Sequence, residues 1–117
     1  MAEISASVRD RSREAVRILS RLGRVRAAYL FGSQVEGNPG SWSDIDIAAF
    51  MEGVEQWDIR RRARAMALVQ KVCGADVEMH LFPASASENP PAGSFTAYIL
   101  RHGAPLEIEN DSPSDGK

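Results

Sequence analysis

Two aspartates separated by one residue are the most suggestive side chains of this sequence. Asp44 and Asp46 begin the segment Asp44–Phe50, which alternates acid and isoleucine before it becomes wholly apolar. In a strand both carboxylates would project from one face, about 6–7 Å apart, while Ile45 and Ile47 would point into a core. A cation relieves the repulsion between two such charges, and oxygen ligands of this kind suit Mg²⁺. The pair therefore predicts a magnesium site, with the solvated face of a strand as the alternative.

A glycine followed by a serine stands directly after the preceding apolar run. Gly32 and Ser33 follow Ala27–Phe31, whose length and composition predict a buried strand. A turn at this place exposes backbone N–H groups that bind anions, and glycine lets a phosphate approach the chain closely. This bend and the aspartate pair lie on consecutive strands, separated by residues 34–43. Together they predict a site for a nucleotide polyphosphate with Mg²⁺.

The composition is that of one small globular domain. The chain has 117 residues, a net charge of −2 and a single cysteine. The charge balance does not indicate a nucleic-acid-binding protein, and one cysteine excludes an internal disulfide. No apolar run approaches the ~20 residues of a membrane helix, and the N-terminus lacks the apolar core of a signal peptide. We therefore predict one domain over residues 1–108, a disordered acidic tail over residues 109–117 and a cytoplasmic location.

The apolar periodicity predicts the elements that must position this site. Helices are expected over residues 4–22, 56–72 and 94–102, each ended by a nearby glycine. Strands are expected over residues 27–31, 44–50 and 76–82, with an edge strand at Leu106 and Ile108. The third strand alternates polar and apolar residues, so Glu78 and His80 share one face. This order predicts the fold class α/β (α+β), a small mixed β-sheet flanked by helices.

The spacing of the motifs resembles a known signature. Gly32-Ser33, ten residues and then Asp44-x-Asp46 are similar to the G-S-x10-D-x-D signature of the minimal nucleotidyltransferases in the DNA polymerase beta superfamily. The leading helix, the apolar strand and the closing segment at residues 98–103 also resemble such domains. The resemblance implies a nucleotidyltransferase-like fold.

The resemblance also implies roles for particular side chains. The family uses a third carboxylate on a neighbouring strand, between apolar residues; Glu78 matches this position best, and Asp76 is the alternative. His80, on the same face as Glu78, could line the pocket but is interpreted as an ordinary sheet histidine. The implied catalytic and metal-binding residues are Asp44, Asp46 and Glu78, and the implied nucleotide-binding residues are Gly32, Ser33 and Ser43.

The activity implied by the resemblance is transfer of a nucleoside monophosphate, AMP from ATP, to an acceptor hydroxyl with release of pyrophosphate. Mg²⁺ would be the cofactor, with room for a two-ion site. Many family members carry basic residues in the turn after glycine and serine, whereas this chain has Gln34 and Glu36. This difference motivates an alternative, the antitoxin-type binding subunit of a pair with a small helical HEPN-type protein, which would bind nucleotide but be weakly active or inactive. A homodimer is a further possible assembly; no membrane partner is expected, and nucleic acid as a partner is left open.

Overall fold

The computed structural model describes residues 5–32 and 44–108. Predictions on Ser33, Gln34, Glu36 and Ser43, and on the tail at residues 109–117, lie outside these ranges. The elements in chain order are α1 (Ala6–Leu22), β1 (Val25–Phe31), β2 (Ile45–Met51), a 3-10 helix (Val54–Gln56), α2 (Ile59–Cys73), β3 (Val77–Pro83), a second 3-10 helix (Ala84–Ser87), α3 (Phe95–His102) and β4 (Ala104–Pro105). The predicted succession of helices and strands is confirmed.

The second helix begins later than the periodicity predicts. The side chain of Asp58 accepts a hydrogen bond from the Arg61 N–H and caps α2, so the helix starts at Ile59 rather than at residue 56. Residues 54–56 form a separate 3-10 turn before it. Across residues 5–32 and 44–108, no helix combines the length and the apolar character needed to cross a membrane.

The four strands form one mixed sheet in the order β3-β2-β1-β4. β1 pairs antiparallel with β2 on one side and with β4 on the other, while β2 and β3 pair in parallel across the crossover through α2. Parallel neighbours require such a crossover, because the end of one strand and the start of the next lie at opposite ends of the sheet. The predicted fold class, a mixed sheet flanked by helices, is confirmed.

The edge strand lies two residues earlier than predicted. β4 consists of Ala104 and Pro105, which pair with Leu30 and Tyr29 as soon as α3 has ended. Leu106, expected within the strand, donates its N–H to the Ala28 carbonyl at 2.8 Å and is buried in the core. The strand expected at residues 106 and 108 is therefore found at residues 104–105, and the Leu106 N–H extends the hydrogen bonds to β1 by one residue.

Helices cover both faces of the sheet. α1 and α2 bury one face, where Ile45 and Ile47 of β2 lie beside Val77 and Met79 of β3. The opposite face packs against α3 in a smaller core formed by Phe31, Ala48, Phe50 and Ile99.

Asp46 precedes Ala48 by two residues and therefore lies on the α3 face of the sheet. This face is covered by α3 further along the strand, and Asp46 is partly buried on it, whereas Asp44 is exposed.

Candidate active site

Two carboxylates meet where the parallel strands β2 and β3 begin. Asp46 is the second residue of β2, Glu78 is the second residue of β3, and the two are partners in the strand register. Their apolar neighbours Ile45 and Val77 are buried on the other face. Because side chains alternate along each strand, Asp46 and Glu78 emerge side by side on the α3 face.

The register that joins these carboxylates is held by contacts at the start of β3. The Ile45 N–H donates to the Asp76 carbonyl at 2.8 Å, which aligns the first residues of the two strands. Arg11 of α1 forms an ion pair with the Asp76 carboxylate and donates to the Cys73 carbonyl at 2.8 Å. The Gln70 amide donates to the Val77 carbonyl at 3.0 Å. Side chains from α1 and α2 thus hold the segment that leads into Glu78.

His80 completes a group of three potential metal ligands with these acids. One ligand atom from each of Asp46, Glu78 and His80 lies within 4.8 Å of the others. The His80 Nε2 atom is 3.3 Å from Asp46 Oδ1. Both side chains are partly buried, with 30% of His80 and 24% of Asp46 exposed, while Glu78 is exposed. Oxygen and imidazole donors this close together form a suitable site for a divalent cation.

A glycine bend lies directly against this group. Phe31, the last residue of β1, pairs with Asp46, and Gly32 follows it with a φ of +85°. A Cβ atom on Gly32 would stand 2.8 Å from Asp46 Oδ2. Only glycine adopts this backbone conformation readily and leaves the space beside the carboxylate open. The bend at the end of β1 and the acidic group at the start of β2 therefore lie at the same end of the sheet, as the spacing of the motifs predicts.

The other predicted residues have different surroundings. Asp44 lies immediately before β2 with an exposed side chain, and within residues 5–32 and 44–108 it is not part of the ligand group. Asp76 is engaged by Arg11, whose hydrogen bond holds the pKa of this carboxyl below its usual range. The structure thus places Glu78, and not Asp76, beside Asp46. Ser33 and Ser43 lie outside the described residues.

His80 is the site residue that the sequence interpretation undervalued. It was expected to be an ordinary sheet histidine, yet its ring nitrogen faces Asp46. Its ring packs edge-on against Phe31, with ring centroids 5.1 Å apart. The signal available in the sequence was the alternation that places His80 on the face of Glu78. That alternation could not show that β2 pairs with β3 in the register that brings Asp46 beside Glu78 and His80.

Fold and site together define a mixed α/β domain with an acidic group beside a glycine bend at the end of a strand. The family model described as Polymerase beta, Nucleotidyltransferase matches residues 13–103, and the chain belongs to this family. The matched region includes all of the described site residues, Gly32, Asp46, Glu78 and His80. Comparisons with curated proteins and with solved structures gave no match. The predicted resemblance to the polymerase beta superfamily is confirmed, and the chain is a domain of the nucleotidyltransferase type.

Proposed function

We propose that this protein is a metal-dependent nucleotidyltransferase that moves AMP from ATP to an acceptor hydroxyl and releases pyrophosphate. The observation that carries the proposal is the placement of Asp46 between two features. Glu78 lies beside it on the neighbouring strand, and the Gly32 bend lies against its carboxylate. An anion-binding bend next to a cation-binding group is what a nucleotide triphosphate with its metal ion requires.

The carboxylates would hold the metal. Asp46 and Glu78 supply oxygen donors at neighbouring positions, and Asp44, immediately before β2, would be the third carboxylate. These donors suit Mg²⁺, and three carboxylates leave room for a two-ion site. A bound divalent ion would neutralise phosphate charge and stabilise the attacking and leaving oxygens of the transfer.

The other groups of the site would position the nucleotide and move a proton. Backbone N–H groups at the Gly32 bend would receive the triphosphate, with the Ser33 and Ser43 hydroxyls as further donors. Glu78, the exposed member of the group, would accept the proton of the acceptor hydroxyl. The acceptor oxygen then bonds to the α-phosphorus, the bond from that phosphorus to the β-bridging oxygen breaks, and pyrophosphate leaves with the bonding electron pair.

The position of the label in ATP provides the test. Protein incubated with Mg²⁺, an acceptor-containing extract and ATP labelled at the α-phosphate should transfer the label to an acceptor. ATP labelled at the γ-phosphate should yield only labelled pyrophosphate. Asp46→Asn should abolish both signals, whereas Glu55→Gln, which changes an exposed carboxylate of the first 3-10 helix, should retain them. Transfer of the γ label beyond that seen with the extract alone, or full activity of Asp46→Asn, would contradict the proposal.

An antitoxin-type binding role is the second candidate function. The observation that favours it is a set of exposed apolar side chains on α2, where Leu68 is 41% and Val72 is 55% exposed. Arg61 and Arg64 flank Leu68 in a shallow pocket beside Trp57. Exposed apolar residues with adjacent cations are typical of a protein-binding surface.

Co-expression with a small helical HEPN-type protein separates the two functions. Binding alone would be supported by two results. The unchanged proteins form a complex that Leu68→Asp abolishes, and mass spectrometry finds no added nucleotide on either protein. A nucleotide attached to the helical protein, and absent with Asp46→Asn, would show that the partner is the acceptor. Failure of the two proteins to associate would remove the second candidate.

A further inference from the structure

We propose that His80 is a direct ligand in the divalent-cation site, which makes the site a mixed oxygen and nitrogen site that prefers Mn²⁺ to Mg²⁺. The inference rests on the metal site of the proposed function and specifies its donors. The family signature concerns the carboxylates, whereas His80 enters through the geometry alone. The ligand group that the structure brings together contains two carboxylates and one imidazole.

The ligand atoms lie close to the distances expected of ligands around one ion. Metal bonds to nitrogen and oxygen are about 2.0–2.2 Å long, so two ligands of one ion stand at most about 4.4 Å apart. The ligand atoms of Asp46, Glu78 and His80 lie within 4.8 Å of one another. His80 Nε2 and Asp46 Oδ1, at 3.3 Å, already have the spacing of adjacent ligands. Small side-chain rotations bring the group to coordination distance.

The His80 ring is held in the orientation that coordination needs. It packs edge-on against two neighbouring aromatic rings, with centroids 5.1 Å from Phe31 and 6.3 Å from Phe95. These contacts leave the ring on the sheet face with Nε2 towards Asp46. A ring that is fixed before binding loses little freedom when it coordinates an ion.

The donor set determines which ion is preferred. Mg²⁺ favours oxygen ligands and keeps much of its water, whereas imidazole is a good ligand for transition-metal ions. A nitrogen bond would therefore strengthen Mn²⁺ binding and add little for Mg²⁺. A histidine that only oriented Asp46 by a hydrogen bond would affect both ions alike. The preference between the two ions thus separates a ligand from a positioning residue.

Pulsed electron paramagnetic resonance of bound Mn²⁺ tests for the bond itself. The chain has two histidines, His80 and His102, and His102 lies exposed at the end of α3 against Tyr98. Protein without a polyhistidine tag and loaded with Mn²⁺ should show nitrogen modulation of the imidazole type. His102→Gln should keep this signal, and His80→Gln should lose it. If His80→Gln folds poorly, isotopically labelled histidine in the His102→Gln protein assigns the signal, because His80 is then the sole histidine.

Calorimetry gives the second readout. His80→Gln should weaken Mn²⁺ binding about tenfold or more and Mg²⁺ binding much less, so the preference for Mn²⁺ falls by about the same factor. Equal losses for both ions, or bound Mn²⁺ without nitrogen modulation, would overturn the role of His80 and leave the proposed transfer intact. Failure of Mn²⁺ to bind at all would overturn both. Nitrogen modulation in a protein that transfers no nucleotide would support His80 as a metal ligand and contradict the proposed function.

Discussion

Asp46 and Glu78 are register partners on the parallel strands β2 and β3, although all of α2 separates them in the chain. Their side chains lie on the α3 face, and the bend at Gly32 closes the group from the side of β1. Three strands therefore contribute to one small site. The site depends on the register of the sheet, and each strand can be tested separately.

Loss of either paired carboxylate should remove activity without loss of the fold. Asp46→Asn and Glu78→Gln should each lower nucleotidyl transfer by about a hundredfold or more, since each removes a charge that would bind the metal beside the reacting phosphate. Glu55→Gln, at an exposed carboxylate beyond the far end of β2, is the matched control. Rates of pyrophosphate release and thermal unfolding of the three variants measure the effect. Similar rates for all three would contradict the assignment.

A methyl group at Gly32 should weaken ligand binding at the site in addition to straining the backbone. Gly32→Ala introduces strain at a φ of +85° and places its Cβ 2.8 Å from Asp46 Oδ2. Gly53→Ala has similar strain, at a φ of +77°, with nothing within 4 Å of the added atom. Both should lose about 1–2 kcal/mol of unfolding free energy. Only Gly32→Ala should also weaken cation and nucleotide binding, as measured by calorimetry; equal binding by the two variants would show that the contact with Asp46 has no role.

The ion pair of Arg11 and Asp76 should make stability depend on pH in the acid range. Arg11 lowers the pKa of Asp76 in the folded protein, chiefly through its hydrogen bond. The contribution is therefore complete above the unfolded pKa of about 3.9 and disappears as the pH falls through the lower, folded pKa. Asp76→Asn should cost less than about 1 kcal/mol at neutral pH, because the pair is partly exposed. Chemical denaturation at several pH values should show this difference shrinking in acid, and a constant difference would contradict the assignment.

Two isoleucines in different helices test how α3 is attached. Ile99 of α3 is fully buried in the core on the site face of the sheet, whereas Ile59 at the start of α2 is 84% exposed. Ile99→Ala should lower the free energy of unfolding by about 2–5 kcal/mol, and Ile59→Ala should change it by less than about 0.5 kcal/mol. Equilibrium denaturation compares the two. Equal effects would mean that α3 is not anchored through Ile99.

Local patterns in the sequence predicted most of the elements. Glycines at 23, 74 and 103 end the three helices as expected, and the alternation along β3 places Glu78 and His80 on one face. The start of α2 was missed because the apolar Trp57 precedes Ile59 and was counted in the helix, whereas the cap at Asp58 decides the boundary. The position of β4 was missed because the prediction followed the apolar residues Leu106 and Ile108, whereas the chain pairs with β1 directly after α3 ends at Gly103.

The sequence by itself determined the spacing from Gly32 to Asp46, the face on which each acid lies and the family to which the chain belongs. These properties follow from alternation and from neighbours within a few residues. Only the tertiary structure decided that Glu78, and not Asp76, meets Asp46 and that His80 joins them. A register shift of two residues keeps every side chain on its face, so alternation cannot choose between the two acids. The choice depends on contacts between distant segments, above all the bond from Ile45 to Asp76 and the ion pair with Arg11.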